Sequence, residues 1–154
     1  MRSWSIILVI LAALGMSACQ RTPQSPLETF KTYTKAIKAK DVKAMRLLLS
    51  DATIKMQEQE AKVQRTTVDE VMKNQTLFGE NQTSVEYRNE KIDGEKATLE
   101  VKNISGTWQS VPFVKEDGAW KIDMAAMRDQ FIQYGEESDR RINDMINGGS
   151  SPLP

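Results

Sequence analysis

Histidine is absent from this 154-residue chain. That removes the side chain most used as general base and as metal ligand, so Ser-His-Asp, Cys-His and the usual zinc sites have no basis here. Cysteine occurs once, which rules out an intrachain disulfide and a thiolate metal cluster. Neither sign of charge dominates: 21 Lys and Arg stand against 21 Asp and Glu. Nucleic acid is therefore not an expected partner, because phosphate binding needs clustered basic surface. No apolar run reaches the roughly 20 residues of a membrane-spanning helix. Neither a cofactor nor a metal is expected, and any catalysis would fall to carboxylates, tyrosine or lysine.

The apolar stretch from Trp4 to Leu14 carries no charge and follows Arg2. It is too short to span a bilayer and fits the h-region of an export signal, about 7–15 residues long. Two processing sites fit. Ala13 and Gly15 offer small residues for an ordinary cut after Gly15. Alternatively, "MSAC" at 16–19 resembles a bacterial lipobox, with Ser17 and Ala18 before the cysteine and Met16 where leucine is usual. The lone Cys19 falls where a lipobox places its cysteine, and lipidation of Cys19 is the expectation. Acyl chains on it would hold the chain at a membrane, each buried methylene contributing about 0.8 kcal/mol. Resemblance to Gram-negative lipoproteins, with Gln20 rather than Asp after the cysteine, implies the periplasmic side of the outer membrane. Residues 1–18 then form a lipoprotein signal peptide and 19–25 a tether. A folded domain covers 26–135, and 136–154 is a C-terminal extension, partly disordered.

Folding signals begin at "SPLE". Ser25 can cap a helix, Pro26 suits its first position, and Glu28 completes a capping box. Leu27, Phe30, Thr34 and Ile37 recur at helical spacing. Asp41 can cap a second helix with Val42, Met45, Leu48 and Leu49 inward. Residues 50–66 read as a weak, largely exposed helix or a mixed turn. Thr67 and Glu70 form another capping box, opening a helix from Val68 to about Gln75. From Ser84 the period becomes two. Asp93-Gly94 and Asp117-Gly118 are hairpin signals, and with a turn near Gly106 they define four antiparallel strands in a meander. "MAAMRDQFIQY" then reads as a short helix with Met124, Met127 and Phe131 inward, while Ile142, Met145 and Ile146 extend an amphipathic pattern past Gly135. Helices before strands indicate an α+β fold with N-terminal helices on a curved four-stranded antiparallel sheet and a short C-terminal helix.

"YTKAIKAKDVKAMRLLLSDATI" and "VPFVKEDGAWKID" resemble the nuclear-transport-factor-like superfamily, the cystatin-like cone, and within it bacterial lipoproteins of unknown function. The resemblance covers roughly residues 26 to 123. It implies helices closing a cone over the concave sheet face, with a pocket lined by Tyr33, Phe30, Tyr87 and Phe113. It also brings in the ketosteroid-isomerase-like enzymes. Tyr33 matches their first-helix tyrosine, but the position of their catalytic acid falls at about Met56 and that of a second acid near Ser110. A thioether cannot accept a substrate proton.

On the third strand Trp108, Pro112 and Val114 share one side. They form either a face covered by the C-terminal segment or an exposed patch for a second copy or another envelope protein. Three functions remain open at this point: a non-catalytic, lipid-anchored envelope protein binding a small ligand or a protein, a histidine-free enzyme using pocket carboxylates or Tyr33, and a dimerisation module.

Overall fold

A computed structural model describes residues 25–74, 84–103 and 105–148. Cys19, the expected export signal and residues 19–24 of the expected tether lie outside the described residues. Five helices and four strands follow in the order α1 Pro26–Lys38, α2 Val42–Leu47, α3 Asp51–Gln64, α4 Val68–Asn74, β1 Tyr87–Asp93, β2 Lys96–Lys102, β3 Trp108–Glu116, β4 Ala119–Ile122 and α5 Met124–Gly148. The α+β class, the antiparallel meander and the C-terminal helix are those expected from the sequence pattern.

Helix α1 starts where Ser25 accepts a bond from the Glu28 amide at 3.2 Å, with Pro26 in its first turn. A second free amide of that turn, Leu27 N–H, donates to Glu90 Oε1 at 2.9 Å. Glu90 reaches it because β1 is bulged. Asn89 and Glu90 together oppose Leu99, and Asn89 takes a positive φ of 53°. Such a bulge re-aims the side chain that follows it. Phe30, Tyr33, Ala36 and Ile37 form the buried stripe of α1; Leu27 and Thr34 are only half-buried.

The sheet order is β1-β2-β3-β4. Alternation along β2 buries Ala97, Leu99 and Val101, and their partners on β3 put Phe113 and Val111 on the same face. These side chains meet Phe30, Tyr33, Ile37, Met45, Leu49, Met72, Trp120, Ile122 and Met124 in one core. Each large apolar side chain so buried contributes about 1.5–3 kcal/mol. The hairpin loops behave as their residues dictate: Gly94 has φ +58°, and Asp117 and Gly118 both have positive φ, the combination a type I′ turn needs. The outer edge of β4 is covered by residues 48–50, where Ser50 N–H donates to Ile122 O at 2.9 Å and Ile122 N–H to Leu48 O at 2.8 Å.

The chain passes from sheet to helix at Pro112. Asp123 N–H donates to Pro112 O at 2.9 Å, but proline has no N–H to return the second bond of that pair. The Asp123 carbonyl instead accepts from Met127 N–H at 3.2 Å, and its carboxylate accepts from Ala126 N–H at 3.1 Å. A proline on β3 thus ends the β4 ladder and frees the group that starts α5.

Of the two readings of residues 50–66, the structure takes the largely exposed helix, α3, which buries only Thr53, Gln57 and Ala61. One expectation changes. Helix α5 is not short: it has 25 residues and passes through Gly135 without a break. In consequence Phe131 is 57% exposed rather than inward, because the helix has left the body of the fold by its third turn.

Candidate functional site

The residues expected to line a pocket separate into two environments. Phe30, Tyr33 and Phe113 are core residues, exposed by 1, 1 and 2%. Tyr87 lies at the sheet edge with the Lys31 ammonium 5.5 Å from its ring centroid. Burial pushes the Tyr33 phenol well above its ordinary pKa, so it stays neutral at physiological pH. Met56 is half-buried and Ser110 exposed. Among the described residues, the buried polar and charged ones are Thr29, Ser50, Thr53 and Gln57, none of them an acid. No group of three His, Cys, Asp or Glu among them could hold a metal ion.

Those buried polar groups mostly serve the backbone. Thr53 Oγ1 accepts from Met124 N–H at 2.8 Å and lies 2.8 Å from Ser50 Oγ. Ser50 Oγ accepts from Thr53 N–H at 3.1 Å, capping α3, and donates to Asp123 Oδ1 at 3.2 Å. One hydroxyl pair therefore ties the N-termini of α3 and α5 together. Gln57 Oε1 is buried without a hydrogen-bond partner among the described residues.

Trp108, Pro112 and Val114 do share the outer sheet face, as strand alternation requires, but they do not form an open apolar patch. The Arg88 guanidinium carbon lies 4.0 Å from the Trp108 ring centroid and Lys102 Nζ 5.8 Å from it. Both cations are paired, Arg88 with Glu100 at 2.7 Å and Lys102 with Glu86 at 3.0 Å. The hydrogen bond from Arg88, joined by one from Asn89, holds the Glu100 carboxyl below its usual range. Pro112 is buried and Val114 half-buried. A charged lattice roofs this tryptophan.

The exposed apolar surface lies instead on α5. Met124 is buried in the core and Met127 half-buried, with Gln109 Nε2 donating to its sulfur. At helical spacing the same face continues outward through Phe131, Tyr134, Ile142 and Met145, which are 57, 75, 47 and 70% exposed. Ile132 and Ile146 flank it, also more than half exposed. Gly135 and Ser138 occupy the middle of the stripe, and nothing lies within 4 Å of where a Gly135 side chain would begin. On the polar side Arg140 and Arg141 pair with Glu136 and Glu137 one turn back. The sequence pattern contained Ile142, Met145 and Ile146 as an amphipathic continuation. It did not mark Tyr134, nor that none of the described residues covers this face.

Comparison with curated proteins finds no match. Among solved structures, the chain is similar to one from Campylobacter jejuni described, provisionally, as an NTF2-like transpeptidase. The two share a TM-score of 0.41 and 20% identity over 65% of this chain and 98% of that one. A family model described as "Protein of unknown function (DUF2950)" matches residues 20–143. That span takes in every described strand, helices α1 to α4, and α5 as far as residue 143. The chain therefore belongs to the DUF2950 family.

Proposed function

We propose that this is a lipid-anchored protein of the cell envelope that works without catalysis, by docking on another protein through the outer face of α5. The observation that carries the reading is the face of α5 that starts from Met124, packed in the core, and continues through Phe131, Tyr134, Ile142 and Met145, which stand in solvent on either side of Gly135 and Ser138. Monomeric soluble proteins rarely leave large apolar side chains grouped on one uncovered face unless it is used. Two further observations support it. Three of the four side chains expected to line a pocket, Phe30, Tyr33 and Phe113, are packed core, and the family match extends through Ile142. Attachment through Cys19 rests on the lipobox resemblance, and it would keep the domain close to a bilayer.

The test is a photo-crosslinking amino acid at Tyr134 in the full chain, in cells that make it. The expected product is an adduct to a protein chain that disappears when Phe131 and Met145 are replaced by Glu. Adducts to lipid alone, or none, would contradict the reading.

A further inference from the structure

Resting on that reading of α5, we infer that the protein docked on the stripe is a second copy of this chain, its α5 laid antiparallel against the first. The size pattern of the stripe is self-complementary. Large residues stand at both ends, Phe131 on one side and Ile142 with Met145 on the other, and the small Gly135 and Ser138 lie between them. When two such helices run in opposite directions about an axis between Glu136 and Glu137, Phe131 faces the partner's Ile142. Gly135 then faces the partner's Ser138, so the helices approach where they are thin and interlock where they are wide.

Charge points the same way. Helix α5 has Arg128, Arg140 and Arg141 but five acids, Asp129, Glu136, Glu137, Asp139 and Asp144, and no lysine. A helix lying on anionic lipid needs a cationic polar face, so a membrane surface is the poorer occupant. In the antiparallel register each Arg141 lies opposite the partner's Ile132, two residues or about 3 Å along the axis from Tyr134, within reach for a guanidinium to stack on that ring. Both are open to this contact, the Arg141 side chain being 73% and Tyr134 75% exposed. Covering the stripe would bury roughly 500 Å² per copy, or about 1,000 Å² in total, which is at the threshold for a biological interface and in the size class of transient pairs.

Disulfide trapping in the full chain tests the pairing, since Cys19 is its only cysteine and the parent chain gives the background. Two differently tagged copies are made together, one with Phe131→Cys and the other with Ile142→Cys. A disulfide needs Cα atoms about 4.4–6.8 Å apart. The mixed pair meets this, whereas two copies of Phe131→Cys would stand about 16 Å apart along the axis at the helical rise per residue. The expected result is a disulfide-linked product carrying both tags for the mixed pair. Each homotypic pair should fall to the parent's background. Homotypic products as strong as the mixed one, or no product above background in any combination, overturn the inference. The Tyr134 crosslinker separates the two levels of failure. An adduct with a different protein, and none with the second tag, overturns self-pairing and leaves docking through α5 intact. No protein adduct at all overturns both.

Discussion

Replacing Thr53 by Val keeps the shape of a fully buried side chain and removes its hydroxyl, which makes it a sensitive probe of how α3 and α5 are joined. Thr53 Oγ1 accepts from Met124 N–H at 2.8 Å and shares a 2.8 Å bond with Ser50 Oγ. Thr53 is 0% and Met124 6% exposed, so the released amide finds no ready acceptor. An orphaned buried donor costs about 1–3 kcal/mol and the lost hydroxyl bond about 1 kcal/mol, for an expected destabilisation of about 2–4 kcal/mol. At roughly 3 °C per kcal/mol for a chain of this size, the melting midpoint should fall by about 6–12 °C. Thermal unfolding followed by far-ultraviolet circular dichroism would measure it. Thr53→Ser, which keeps the hydroxyl, should lose less than half as much. A Thr53→Val chain melting within about 1 °C of the parent would refute the assignment of this pair as the joint between the two helices.

Gly118→Ala should cost about 1–2 kcal/mol in equilibrium denaturation, because φ is +77° there while nothing crowds a new Cβ, leaving the left-handed backbone as the whole penalty. Burial raises the Tyr33 pKa above its ordinary value of 10.0. Its contribution is thus complete below pH 10 and is lost as pH rises above that value, where only the unfolded phenol ionises. A Tyr33→Phe chain should therefore lose less stability than the parent between pH 9 and 11, as read by denaturant midpoints; equal losses would show that this phenol is not the group involved. Cys19→Ser should move the chain from the membrane fraction to the soluble fraction on ultracentrifugation of lysed cells, and unchanged sedimentation with membranes would refute the anchor.

Local chemistry made much of the fold legible. Ser25-Pro26 start α1 as capping preferences require, and Asp93-Gly94 and Asp117-Gly118 turn where positive φ is cheapest. The period of two that begins at Ser84 is the alternation by which β2 buries Ala97, Leu99 and Val101. Helix α3 was obscure because its buried face is polar. Thr53 and Gln57 point inward while Val63 is 80% exposed, so apolar periodicity has nothing to follow. Of the four aromatic residues assigned to a pocket, Phe30, Tyr33 and Phe113 fill the core, and composition does not distinguish a lined cavity from a filled one. The exposed stripe of α5 was half-legible. Its period is written in Ile142 and Met145, yet only the three-dimensional arrangement shows that the body of the fold ends near Met127 and leaves Phe131 and Tyr134 uncovered.

Hydrogen exchange across residues 131–146 of the membrane-attached chain would test most directly whether the outer half of α5 is docked in its working state. An isolated helix of this length is marginal in water. Docking therefore predicts slow exchange in the parent and a return to near-unprotected rates when Ile142 and Met145 are both replaced by Glu. Rapid exchange in the parent, unaltered by those substitutions, would contradict it.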